Sequence, residues 1–417
     1  MDSGRKPRSW RTPVAIGLLI FSGWALWQQF GSTAREPYSV RPDWTAPTGG
    51  QSNFSAYTFR DRNRNGLLDL GDRAMAGVFV EISGPSGASG RSSSNLNGFV
   101  NFPMARSWRP WGLLIGRAGD YRFRVLTPPG FEIVSANGEQ TSRFVELPGS
   151  ISDLVSLDPT EPIGLAPILH VAGRVLRRAA SGQLEAAAGV TLGATGPDGS
   201  TFDVAVAASG DFVFEGRPGA WRIAARSADG ALQAERQWTV SDAPVRLSAI
   251  VLGESPPAPR PHRLQLDFEN FSTHTVTKIP SGLAGLRWTY LNAIDLIFAR
   301  GPGYTNTAVS GQHVAYSSSG HPVTITSAPG EAPFDFVGAY FGVGWPSAEG
   351  ETLIVEASRN GAVVASEQFP LSSLGPVWFD ADLRAVDRVV LRTARYWQFA
   401  VDDLVLRTAG EQPAPPI

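Results

Sequence analysis

Two patterns of apolar residues divide the chain. Residues 12–34 carry no charge, and their centre at 13–27 reads Pro-Val-Ala-Ile-Gly-Leu-Leu-Ile-Phe-Ser-Gly-Trp-Ala-Leu-Trp. At a helical rise of 1.5 Å per residue this run spans roughly 30 Å, enough to cross a bilayer. Beyond it the apolar positions recur with period two over short stretches broken by turn residues. Tyr121, Phe123 and Val125 alternate with Arg122 and Arg124, which puts the three apolar side chains on one buried face of a strand. On this reading strands fall at 54–59, 78–82, 99–102, 121–125 and 144–147, and residues 53–158 form a β-sandwich.

The same layout returns in residues 165–253. Gly77-Val-Phe-Val80 corresponds to Gly189-Val-Thr-Leu192, and Gly98-Phe-Val-Asn-Phe102 to Gly210-Asp-Phe-Val-Phe214. Gly119-Asp-Tyr-Arg-Phe123 corresponds to Gly219-Ala-Trp-Arg-Ile223. Two tandem sandwiches of one type follow. Residues 254–261, rich in proline, read as a stiff linker. Residues 262–408 form a third unit with strands at 264–268, 293–298, 323–326, 337–341, 352–357, 388–393 and 399–406. Residues 35–52, with prolines at 37, 42 and 47, read as an extended linker, and 409–417 as a polar, proline-rich tail. The expected fold class is all-β, with an N-terminal single transmembrane helix followed by three tandem β-sandwich domains.

Charge sets the topology of the apolar run. Arg5, Lys6, Arg8 and Arg11 precede it, so residues 1–11 stay cytoplasmic and the bulk of the chain lies on the other side, periplasmic or extracellular. Trp24 and Trp27 suit the far interface, which favours a retained anchor; a signal peptide cleaved near Ser32-Thr33-Ala34 is the alternative. The 417 residues suit about three domains. Forty-five glycines and 32 prolines agree with turn-rich sandwiches, since long helical runs are scarce. A net charge of -2 leaves no electrostatic footprint for nucleic acid. With no cysteine, disulfides, thiolate catalysis and thiolate metal sites are excluded.

The strongest chemical motif is at residues 61–72, Asp-Arg-Asn-Arg-Asn-Gly-Leu-Leu-Asp-Leu-Gly-Asp. Asp61, Asn63 and Asn65 alternate so that their oxygens can converge, Gly66 permits a sharp turn, Leu67 offers its carbonyl, and Asp69 and Asp72 stand at the ninth and twelfth positions of a calcium loop. A solvated turn rich in Asp and Asn is the bland alternative. The second copy has no acidic loop at 175–188, so calcium is expected in the first alone.

The first unit, on this loop, the Gly77-Val-Phe-Val80 strand and Pro128-Pro-Gly-Phe131, resembles the B-type repeats of serine-aspartate-repeat adhesins, calcium-stabilised sandwiches of bacterial cell surfaces. That resemblance implies Asp61, Asn63, Asn65, Leu67 (backbone), Asp69 and Asp72 as calcium ligands. The second unit resembles transthyretin-like, or carboxypeptidase-regulatory-like, sandwiches. The third is similar to galactose-binding-like jelly rolls at Leu266-Asp-Phe-Glu269, at 279–288, at Asn306-Thr-Ala-Val-Ser-Gly311 and at Phe399-Ala-Val-Asp-Asp-Leu404. There the resemblance implies a structural calcium held by Asp267, Glu269 and Asp402 or Asp403.

Trp288, Tyr290, Tyr304, Tyr316, Trp345 and Trp378 are candidates for stacking on sugar rings, or for an ordinary core. His170, His262, His274, His313 and His321 show no metal-binding spacing, and no nucleophile elbow or phosphate loop is present. Asp380 and Asp382 are the remaining acid/base candidates. The expected function is therefore a non-catalytic, membrane-anchored extracytoplasmic structural subunit of the bacterial cytoplasmic membrane. Its expected partners are other membrane-protein subunits of an energy-transducing, photosynthetic, secretion or envelope complex. The alternative is a surface carbohydrate-binding or adhesion protein with a glycan partner.

Overall fold

A computed structural model describes residues 53–85, 87, 89–104, 115–148, 154–271, 276–328 and 330–410. The segments expected at 1–11, 12–34 and 35–52, His274, and residues 411–417 of the tail lie outside them. The described residues are almost entirely strand. Their longest helix is the six-residue Pro302–Thr307, and none is long and apolar enough to cross a membrane.

The first sandwich has two five-stranded sheets. One runs Arg73–Ala74, Asn53–Arg60, Ile163–Pro167 and Phe131–Ile133, with Phe99–Pro103 also paired to Asn53–Arg60. The other runs Ser89–Ser93, Phe79–Ser83, Gly119–Leu126, Glu139–Glu146 and Leu154–Ser156. Tyr121, Phe123 and Val125 face the core as their alternation requires, while Arg124 pairs across the strand with Glu81 at 2.6 Å on the solvent face. Ile163–Pro167 runs parallel to Asn53–Arg60, with Thr58 opposite Ile163. The first sandwich thus extends past residue 158 to Pro167. Pro159 and Pro162 break the strand pattern between them without ending the sheet.

The second sandwich repeats these pairings. His170–Arg178 takes Asp211–Glu215 antiparallel and Ile250–Leu252 parallel, as Asn53–Arg60 takes Phe99–Pro103 and Ile163–Pro167. Thr191–Thr195, Gly219–Arg226 and Gln233–Val240 pair in the order of Phe79–Ser83, Gly119–Leu126 and Glu139–Glu146. The repeat reaches single hydrogen bonds. Tyr121 Oη donates to the Arg117 carbonyl at 3.1 Å, and Trp221 Nε1 donates to the Arg217 carbonyl at 2.8 Å.

The third unit packs a five-stranded antiparallel sheet, Leu286–Thr289, Val323–Ser327, Arg388–Thr393, Thr352–Arg359 and Ala362–Pro370, against a second sheet centred on Phe334–Val343, Val377–Val386 and Phe399–Thr408. Phe336, Phe341, Phe379 and Phe399 fill the space between them and are wholly buried. Val245–Leu247 of the second sandwich runs parallel to Trp378–Asp380, so one twelve-stranded sheet passes from the second sandwich into the third. All three sandwiches belong to one compact unit. Residues 254–261 carry no strand; Arg260 N donates to Asp335 and Arg384 donates to the Pro257 carbonyl, which lays the segment along the third sandwich.

Candidate functional site

The loop at 61–72 begins where Asn53–Arg60 leaves its sheet, and Asp61, wholly buried, is fixed there by donating its N–H to the Leu165 carbonyl. Its carboxylate accepts from Arg64 N at 2.6 Å and Gly66 N at 2.7 Å, with Gly66 at φ +79°. Asp72 closes the other end by accepting from Arg62 N and Asp69 N at 2.9 and 3.0 Å. The Asn63 and Asn65 amides both donate to Asp69 Oδ2, at 3.0 and 2.8 Å. Leu67 has its side chain in solvent. All six expected ligand residues therefore gather in one hydrogen-bonded loop, Leu67 through its N–H, which donates to Asn65 Oδ1 at 2.8 Å.

The charges in this ring are crowded. Burial pushes the Asp72 carboxyl up, and the Asp61 and Asp69 charges push it in the same direction. Asp69 is held below the usual carboxylate range, first by the Asn63 amide and then by Asn65. Asp69 Oδ1 is occluded and accepts no hydrogen bond from the described residues. A carboxylate oxygen has two lone-pair sites, so Asp61 and Asp72 keep acceptor capacity beside their N–H partners. Three carboxylates, one of them with an orphaned oxygen, and two amides match a hard, oxygen-seeking cation in donor type, but the three carboxylates do not stand close enough together to hold one ion between them. Asp61 and Asp72 are meanwhile saturated enough to close the loop by themselves.

The second acidic set is also drawn together, as a clamp on residues 309–313. Asp402, wholly buried, accepts from Val309 N and Ser310 N through Oδ2, at 2.7 and 3.0 Å, and from Asp403 N through Oδ1. Burial pushes its carboxyl up to about 7, and the Asp403 charge adds to the shift. Asp403 accepts from Ser310 Oγ at 3.0 Å. Glu269 accepts from Gln312 N and His313 N at 2.8 Å each and lies 3.0 Å from His313 Nδ1. Asp267 accepts from Glu269 N at 3.2 Å. Among the described residues no three acidic or histidine side chains stand close enough together to hold a metal ion.

Of the six aromatic candidates, Trp288 and Tyr304 are core residues, and Trp288 Nε1 donates to the Leu283 carbonyl at 2.9 Å. Tyr316, Trp345 and Trp378 are half-buried, which leaves Tyr290 as the exposed ring. Asp380 and Asp382 are not a facing pair: Asp380 accepts from Arg236, and Asp382 from Arg384.

Sequence reading missed the joints between the sandwiches. Arg60, at the end of an otherwise uncharged strand, donates from Nη2 to the Asp242 carbonyl at 2.5 Å and lies 3.5 Å from its carboxylate. Arg62, inside the loop, donates to that carboxylate at 2.5 Å. Burial works against the Asp242 charge, yet Arg60 and then Arg62 hold it below the usual carboxylate range. Arg64 pairs with Glu132 and donates to the Pro167 carbonyl. Arg73 reaches the Gly311 carbonyl of the third sandwich. Asn306 both accepts from Ala76 N and donates to the Ala76 carbonyl, at 3.0 and 2.9 Å. Between the second and third sandwiches, Arg236 donates to the carbonyl and the carboxylate of Asp380 at 2.6 Å each. The acidic loop therefore stands beside the contacts that join the first sandwich to both others.

No protein-family model matches the chain, and no curated protein does. Solved structures offer faint likenesses. The Bacillus anthracis TIE protein is 11% identical over 48% of this chain and 33% of its own length, with a TM-score of 0.19. The shaft pilin spaA from Lactobacillus rhamnosus GG is 11% identical over 51% of this chain and 100% of its own, at a TM-score of 0.22. The CBM51-2 and INT domains of Clostridium perfringens ZmpB, in complex with GlcNAc, are 12% identical over 57% and 48%, at 0.23. The chain thus spans a third of the first protein and about half of the last. Scores this low bear on neither function nor arrangement.

Proposed function

We propose that the chain is a non-catalytic structural and interaction subunit, held at the bacterial cytoplasmic membrane by residues 12–34, whose three sandwiches brace a larger membrane assembly from outside the cytoplasm. The observation that carries this reading is the joining of the sandwiches: a shared sheet at Val245–Leu247 and buried polar contacts at Arg60, Asn306 and Arg236 make one body of three domains. Buried polar groups that are paired fix geometry more than they add stability, and fixed geometry is what a brace requires. Calcium in the loop at 61–72 would neutralise crowded carboxylates next to this joint. Purification of the full-length chain in mild detergent from its native membrane tests the proposal. Stoichiometric companion proteins are expected, and a lone monomer overturns it.

One surface favours the carbohydrate-binding alternative. Tyr290, half-exposed, has its ring 4.7 Å from the His321 ring, and Gly320 abuts the carbonyl of Tyr396, a residue 69% exposed and followed by Trp397. Exposed rings held side by side suit the apolar face of a sugar. A glycan array probed with residues 45–417 and with Tyr396→Ala decides it: glycan binding lost in the variant supports this reading, and no binding by either protein removes it.

A further inference from the structure

The three sandwiches enclose a cleft of about 340 Å³ that none of the motifs above accounts for. Its walls come from all three: Phe131 and Pro167 from the first, Pro244 from the second, Phe369 and Val377 from the third. Its floor is the outward face of His170–Arg178 and Val245–Leu247, where Ala172 stands opposite Arg246. The volume lies within the range of small-molecule sites, which are mainly apolar with a few placed polar groups.

Four ionisable groups line this cleft, and three are accounted for. Arg60 is engaged by Asp242, Glu349 accepts from Ser373 N and Oγ at 2.7 Å each, and His170 is at the exposed rim. Arg246 is different. Its side chain is 14% exposed, its nearest carboxylate oxygen is on Glu367 at 3.9 Å, and its guanidinium makes no hydrogen bond among the described residues. Glu367 is turned toward Ala249, whose N–H it accepts at 2.7 Å. Burial lowers the Arg246 pKa and raises that of Glu367, as expected when two buried charges pair poorly. A guanidinium fork without an acceptor at the edge of apolar walls is a receptor for a planar anion. Glu349 on the same cleft disfavours a second negative charge on the ligand.

We propose that the cleft binds a small apolar monocarboxylate, its carboxylate on the Arg246 fork and its hydrocarbon part against the phenylalanine and proline walls. Titration calorimetry on the full-length chain in detergent tests this, with hexanoate and 3-phenylpropionate as probes and their uncharged amides and inorganic phosphate as controls. Saturable binding of the acids is expected, about tenfold or more tighter than the amides, because a charge-assisted hydrogen bond contributes more than a neutral one. Arg246→Met should weaken acid binding by a similar factor and leave the amides unchanged. Ala172→Leu, which keeps the arginine and narrows the floor, should weaken acids and amides alike. The proposal is overturned if acids and amides bind equally, if phosphate binds as tightly, if either variant keeps wild-type affinity for the acids, or if no binding saturates at tens of millimolar.

Discussion

At the scale of single residues, the carboxylates of the acidic loop divide by what they already hold. Asp61 is wholly buried and caps two backbone N–H groups, so Asp61→Ala strands both donors and should cost about 1–3 kcal/mol in calcium and in chelator alike. Among the described residues Asp69 accepts only amide side chains through Oδ2 and nothing through Oδ1. Asp69→Ala should therefore abolish any calcium-dependent rise in melting temperature while leaving the melting temperature in chelator within a degree or two of wild type. Scans of both variants with and without calcium check this; a calcium response that survives in Asp69→Ala removes the ion from the loop. Asp402 carries a different signal. Its folded-state pKa of about 7 is above the ordinary carboxylate value, so between roughly pH 4 and 7 the folded protein holds a proton that the unfolded chain has lost. That contribution is complete below the unfolded pKa and disappears as pH rises through 7. Stability should thus fall from pH 5 to pH 8, and Asp402→Asn should flatten the slope at the expense of one hydrogen bond to Asp403 N. An unchanged slope in urea titrations across that range would show that Asp402 does not titrate there.

At the scale of elements, the duplication explains why so much of the strand pattern was legible. Period-two alternation in Tyr121–Val125 and the glycines shared by the two copies place the central strands correctly, because alternation reports one buried face directly. Partners of those glycines were not legible. Gly119 and Gly219 sit at φ +139° and +129°, and a Cβ on either would lie 2.6 Å from Pro85 or Pro197 respectively. The same glycine-on-proline contact thus seats the start of the same strand against the same turn in both copies, at unequal sequence distances. Gly119→Ala and Gly219→Ala should each cost about 1–3 kcal/mol from backbone strain and overlap. Gly193→Ala, on the neighbouring strand with open space around it, should be close to neutral. Urea midpoints for the three variants test whether the turn, rather than loss of glycine as such, is responsible. The inner strand Ile163–Pro167 escaped the reading for an opposite reason: it is buried at every position, so it has no alternation to detect.

At the scale of the whole molecule, residues that join domains leave no periodic trace. Arg60 and Asp242 lie 182 positions apart, and neither stands in a recognisable motif; only the fold makes them neighbours. Their contact yields the most direct test of whether the sandwiches act as one body. Only 7% of the Arg60 side chain and 11% of the Asp242 side chain are exposed, whereas Arg62, 37% exposed, can return to water. Removing one partner of a buried pair leaves the other charge uncompensated, so Asp242→Ala should cost about 3 kcal/mol or more even though the residue-242 carbonyl still accepts from Arg60. Arg62→Ala should cost less than about 1 kcal/mol, the usual worth of a partly solvated pair. If the joint couples the domains, calorimetry of Asp242→Ala should show a separate, lower-temperature transition for the first sandwich where the wild type melts once. The pair Arg124 and Glu81, on the solvent face within one sandwich, supplies the contrast: Glu81→Ala should leave a single transition at nearly the wild-type temperature. A single unshifted transition in Asp242→Ala would mean that Asn306, Arg73, the residue-242 carbonyl and the apolar contacts suffice to hold the first sandwich, and that the buried charge pair does not transmit stability across the joint.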